Sequence, residues 1–148
     1  MSTTLKILLG IAAVFVLLIG VAAWKGYSWW RANGRVYLAA IQASQRDGRS
    51  FGLTADNAAC VKSALDRFGS DTTALGMMTG SSFVQACLPA SKPTPGFCDG
   101  VPAPRDFSAM GEWSRKQCDE MSLKDARGCQ AVVRGVPMFC HPRTRDTA

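Results

Sequence analysis

Ile7 to Trp24 is a run of 18 residues without a charge, ILLGIAAVFVLLIGVAAW. As a helix at about 1.5 Å per residue it spans roughly 27 Å, close to the hydrocarbon thickness of a bilayer. A chain with such a run is either held in a membrane or exported through one. As a secretory signal, its apolar region would be ILLGIAAVFVLLIG, with Val21 to Ala23 as a small-residue cleavage site. Two features favour an uncleaved anchor. The residues before the run carry a single cation, Lys6, which is thin for a signal peptide. The residues after it are AAWKGYSWWRANGR, in which Trp24, Tyr27, Trp29 and Trp30 are interleaved with Lys25, Arg31 and Arg35. Amphipathic rings settle at the headgroup level of a bilayer, so these seven residues read as a membrane-interface collar. The rings could alternatively form a docking face for a membrane partner; anchoring is the simpler reading.

Good helix formers continue through VYLAAIQASQ, residues 36–45, so one helix from about Leu5 to Gln45 is expected, with a bend near the turn-prone Asn33-Gly34 pair. RDGRSFG, residues 46–52, reads as a linker. The resulting division is residues 1–24 as tail and anchor and 25–52 as juxtamembrane helix and linker. Residues 53–142 form the folded domain, and 143–148 a disordered tail.

The net charge of +6 is unevenly placed. Residues 25–49 hold five cations against Asp47, whereas residues 50–142 hold nine Lys or Arg against nine Asp or Glu. A nucleic-acid-binding domain needs a basic face of its own, so that function is discounted. The basic segment beside the apolar run suits anionic lipid headgroups, which makes the bilayer the first expected partner.

Orientation receives two opposed signals. The cations after the run outnumber those before it, which by itself would hold the carboxyl-terminal domain in the cytoplasm. Against this stand six cysteines, Cys60, Cys87, Cys98, Cys118, Cys129 and Cys140, all beyond the anchor. An even number at this density in a small domain reads as a disulfide framework made in an oxidising compartment. There is no C-x-x-C, and His141 is the lone histidine, so the closely spaced ligand pairs of a structural zinc site are missing. The cysteines are given more weight, because translocated domains override a bias of a few flanking charges. The domain is then periplasmic, or lumenal or extracellular in a eukaryote; the lack of any N-x-[S/T] sequon leans toward the former.

The fold class expected is mainly α: a single N-terminal transmembrane helix followed by a small disulfide-stabilised helical domain. At about 90 residues the core is small, and small cores need staples. TADNAACVKSALDRFG has Thr54 as expected N-cap and Gly69 as stop, with Val61, Ala64, Leu65 and Phe68 on one face. In SDTTALGMMTGSSFVQACLP, Ser70 or Asp71 caps a helix that Gly76 and Gly80 weaken and Ser81 restarts. Its stripe is Phe83, Val84, Cys87 and Leu88, and Pro89 ends it. Residues 90–105 contain four of the seven prolines and form a rigid irregular connection tethered by Cys98. A helix capped by Asp106 should bury Phe107, Met110, Cys118 and Met121, with Trp113 near that face. The last helix has a box-like Ser122 and Asp125 start and ends at Gly135 and Pro137. Six cysteines allow 15 pairings; pairing in chain order, Cys60–Cys87, Cys98–Cys118 and Cys129–Cys140, is the expectation.

No constellation of catalytic residues emerges. His141 sits near the chain end without an evident orienting partner. Glu112 and Lys116 are spaced i, i+4 and read as a surface pair. Phosphate-binding glycine loops, G-x-S-x-G and C-x-x-C-H are absent. Met77, Met78, Met110, Met121 and Met138 are soft enough for Cu(I), although methionine at helical spacing is ordinarily core filler. No metal, cofactor or enzymatic activity is therefore expected. The span holds no ionisable residue, so no ion or proton path is indicated. Ala22 and Gly26 form one small-xxx-small pair, the single hint of a homo-oligomer.

The leading expectation is a non-catalytic envelope accessory that presents its domain to a protein partner, with the collar and Phe97 of the proline-rich loop as contact candidates. Phe97 can equally well plug the core. The alternatives are a periplasmic inhibitor or immunity-type protein against an envelope-acting toxin, and a thiol-redox or copper-handling protein.

Overall fold

A computed structural model describes residues 3–123 and 125–142. The expected tail, 143–148, lies outside the described residues. Six helices account for most of them: α1 (Thr3–Gly52), α2 (Asn57–Ser70), α3 (Ala74–Cys87), α4 (Phe107–Glu120), α5 (Ala126–Val133) and α6 (Gly135–Cys140). A 3₁₀ turn, Leu88–Ala90, follows α3 with Pro89 inside it. There is no strand among the described residues, so the architecture is mainly α. The chain divides into two compact units within α1, the first ending at Leu38 and the second beginning at Ala39.

In the first unit, the most apolar 18-residue window has a mean hydropathy of 2.8 and none of it is buried by protein. One helix near the amino terminus is therefore long and apolar enough to cross a bilayer. Helix continues through Asn33-Gly34, the pair expected to interrupt it. The indole of Trp30 lies over Gly34, within 3.0 Å of where a Cβ would sit. Asn33 turns its side chain back along the helix, donating to the Trp29 carbonyl at 2.9 Å.

The second unit begins earlier than the expected domain start. Residues 46–52 are the last turns of α1 and not a linker, and they pack. Ser44, Gly48 and Gly52 fall at i, i+4 and i+8, one above another on a single face. The Ser44 hydroxyl donates to the Thr79 carbonyl at 2.6 Å. A Cβ on Gly48 would stand 2.5 Å from the Phe83 carbonyl oxygen, and one on Gly52 2.7 Å from that of Cys87. Small residues here let the α1 backbone lie directly on α3. Phe51 rests on Phe83 with ring centroids 5.7 Å apart. Asp47 meets Arg67 at 3.6 Å, and the Arg67 guanidinium covers the Phe83 ring at 4.4 Å.

Within the domain α2 and α3 lie side by side, and α5 packs against α2, α3 and α4, which puts it at the centre. The core is Cys60, Ala64, Leu65 and Phe68 from α2, Phe83, Val84 and Cys87 from α3, Cys118 from α4, and Cys129, Val132 and Val133 from α5, completed by Leu88, Val101 and Val136. The stripes expected on α2 and α3 are buried, except that Val61 is half-buried. α3 runs unbroken through Gly76, Gly80 and Ser81, and Gly80 leaves room for Val132, whose Cγ2 lies 3.1 Å from the position of an added Cβ.

The caps differ in part from expectation. Asp106 caps α4 as read from the sequence, accepting from the Ala109 amide at 3.0 Å. α2 is capped by Asp56, not Thr54, through the Ala59 amide at 2.8 Å. Asp56 wins because Ala55 and Asn57 are tied to Lys92 by backbone hydrogen bonds, which hold the chain extended at residue 56. α3 is capped by Thr73 rather than Ser70 or Asp71. Asp125 alone caps α5, and Ser122 takes a left-handed turn conformation after α4. Gly135 and Pro137 do not end the helical run. Pro137 lies in the first turn of α6, where its missing amide costs nothing.

All six cysteines are paired: Cys60–Cys87, Cys98–Cys140 and Cys118–Cys129, with Cα separations of 5.8, 5.4 and 5.9 Å. The first bond is the expected one and the other two are corrections. Cys118 is in the last turn of α4 and Cys129 in the first turn of α5, so the short turn between these helices brings them together. That leaves Cys98, in the proline-rich loop, for Cys140 at the end of α6.

Candidate functional site

Three surfaces come forward. The first is the collar. At about 100° per residue, Trp24, Tyr27, Trp29 and Trp30 point to all sides of α1, and their exposure ranges from 50 to 73%. Rings spread around the helix suit an encircling interface better than a one-sided docking face. They are held in place locally: Trp29 meets Tyr37 edge-on at 5.5 Å, and Arg31 stacks on Tyr27 at 5.9 Å. Arg35, like Arg31, is exposed.

The second surface is the proline-rich loop. Buried Asn57 fixes its start, donating to the Ser91 hydroxyl at 2.7 Å and accepting from the Thr94 amide at 2.9 Å. The loop then winds through three backbone turns, with Gly96 and Gly100 at positive φ. Its far end is fastened by the Cys98–Cys140 bond and by His141, whose Nε2 donates to the Val101 carbonyl at 2.9 Å. His141 is thus a fastener. Phe97 is half-buried, packed on the core and edge-on to Phe139 at 6.2 Å. It also forms part of the wall of a pocket of 310 Å³ with Leu65, Val101, Trp113 and Met121. Asp99, Glu120 and Lys62 stand in that lining, and Lys62 is already paired with Asp66 at 2.7 Å.

The third surface was not read from the sequence. Phe107, assigned to the buried face of α4, is 80% exposed, and Met138 on α6 is 59% exposed. With Met110, Trp113 and Pro137 they line a cleft of 520 Å³ between α4 and the α5–α6 segment. Phe107 is the first residue of α4, where the helix has only begun to meet α5; what α4 buries fully is Ser114 and Cys118. A Phe at the first helical position, one turn before Met110, was the available signal.

Of the remaining methionines, Met77 and Met121 pack on the core and Met78 is exposed. No group of three His, Cys, Asp or Glu that could hold a metal ion occurs among the described residues. Among the described residues the one clear displacement of a pKa belongs to Asp71, whose carboxyl is lowered because it accepts hydrogen bonds from the hydroxyl and amide of Thr73. That pair shapes the turn before α3. Compared with known protein families, characterised proteins and solved structures, the chain matches none.

Proposed function

We propose that the protein is a single-pass anchored accessory of a bacterial inner membrane, with its domain on the periplasmic side, where it binds a protein partner without catalysing a reaction. The observation that carries the reading is the pair of large apolar side chains, Phe107 and Met138, exposed together beside a cleft on a domain pinned by three disulfides. Apolar surface of this kind marks interaction sites. The disulfides support the oxidising side, since thiols of the cytosol are kept reduced. The collar, Trp24, Lys25, Tyr27, Trp29, Trp30, Arg31 and Arg35, supports an anchor that stays in the bilayer. Phe97 is a second contact candidate through its exposed portion.

Two measurements test this. Alkylation of the membrane-extracted chain without reduction should add no label, and its intact mass should retain the amino terminus; six labels would move the domain to a reducing compartment. A photo-crosslinking residue at position 107 or 97 in native membranes should give one discrete adduct, and one at exposed Leu53 none. Failure at both 107 and 97 would overturn the partner reading.

A further inference from the structure

The cleft between α4 and the α5–α6 segment has a charge character as well as an apolar one. We infer that it receives an acidic amphipathic peptide segment of a partner protein, its apolar side chains entering beside Phe107, Trp113 and Met138 and its carboxylates meeting Arg134. The inference rests on the partner-binding reading above and assigns it a site and a chemistry.

No carboxylate lines this cleft, and Arg134 does. Arg127 lies on the same face of α5, at i−7 from Arg134 and i−3 from the lining residue Gln130. Arg115 lies one turn beyond Gly111 of the α4 wall, and Arg105 directly follows the lining residue Pro104. All four arginines are exposed, and none is in an ion pair among the described residues. Two acids lie close by as well, Asp106, which accepts from the Ala109 amide, and Glu112, exposed on α4 beside Lys116; set against the four arginines they leave the surround of the cleft net positive. Residues 50–142 are neutral overall, so this excess is local. The other pocket that Trp113 lines has acids in its wall, Asp99 and Glu120, together with Lys62, which is paired with Asp66.

Concavity decides between a peptide and a lipid surface. Phe107 and Met138 are exposed, but they stand around a hollow of 520 Å³, and a hollow takes side chains that enter it, as in helix-in-groove recognition. Arginine beside aromatic and methionine side chains is also the composition of interface hot spots.

The test is a display selection of short random peptides against the full chain in lipid nanodiscs. Enriched peptides should combine apolar residues with Asp or Glu and bind less tightly as salt rises. Phe107→Ser and Arg134→Glu should each weaken them roughly tenfold or more, while Glu120→Gln in the other pocket leaves them unchanged. Both positions are exposed, and intact disulfides with an unchanged melting temperature check the fold; if Phe107→Ser fails that check, Met138→Gln takes its place. The inference is overturned by no enrichment over empty nanodiscs, by peptides without acidic residues, or by binding that survives both substitutions. Phe107-dependent binding of anionic vesicles would instead make the cleft a membrane contact, and Phe107-dependent self-association a contact between copies. A discrete adduct at position 97 with an inert cleft would sink this inference alone; no adduct at either position would sink the proposed function.

Discussion

Gly48 is where the packing of α1 on α3 can be challenged most sharply. Replacing glycine by alanine inside a helix ordinarily stabilises by about 1 kcal/mol, because alanine gives up less backbone freedom. At Gly48 that gain meets an obstacle. The added Cβ would lie 2.5 Å from the Phe83 carbonyl oxygen and 3.2 Å from its Cα. These are backbone atoms of a buried helix position, so neither can swing aside as a side chain would. Overpacking of this kind costs about 1–3 kcal/mol, and a backbone obstacle puts Gly48 near the top of that range. The net expectation is a loss of about 2 kcal/mol, or a fall of roughly 8 °C in melting temperature for a domain of this size. Gly111 of α4 is the control, since a Cβ there meets nothing within 4 Å. Gly111→Ala should raise the melting temperature by about 4 °C. Both variants are melted in the same detergent with disulfides intact, followed by circular dichroism. If Gly48→Ala also raises the melting temperature, the close approach of α1 to α3 is refuted, and with it the reading of Ser44, Gly48 and Gly52 as a docking stripe.

Gly128 in the first turn of α5 has the Phe68 ring directly against it, so Gly128→Ala should destabilise the domain by about 2 kcal/mol or more in chemical denaturation. Cys98 is exposed while Cys60, Cys87, Cys118 and Cys129 are all buried, so graded dithiothreitol followed by alkylation and peptide mapping should open Cys98–Cys140 first. Early opening of either buried bond would contradict that order. Because the Asp71 carboxyl is lowered in the folded chain, its contribution to stability is present above the unfolded value and drains away as pH falls through the folded one. Thr73→Val should return that carboxyl toward its ordinary range, read by NMR titration, and flatten the acid limb of the stability profile below about pH 4.

What was legible in the sequence follows from periodicity. The stripes of α2 and α3 recur at helical spacing and are buried, and Asp106 stands directly before an amphipathic segment and caps it. The apolar run, the helical class and the cysteine framework were equally open to reading. What was hidden depends on contacts between distant segments. RDGRSFG resembles a linker because glycine and charge are breaker signals, yet its glycines are the reason α1 can lie on α3. Thr54 is a good local cap, but Lys92, far along the chain, selects Asp56. Cysteine pairing in chain order failed twice, since the α4–α5 turn outweighs sequence order. The cleft was missed because periodicity gives the face on which Phe107 stands but not how far the neighbouring helix reaches along it.

The two duties of α1 fall on separate stretches, and that decides where the chain can be cut. Every contact that Ser44, Asp47, Gly48, Phe51 and Gly52 make belongs to the compact unit starting at Ala39. A protease acting after Ala23 would sever the tether and leave those contacts whole, so the shed product would be as well folded as the parent. A cut after Gly52 would strip the cover from Phe83 and yield a sticky, weakened remnant. Release into solution is therefore compatible with a working domain only upstream of residue 39, and a soluble fragment made for binding studies should begin there.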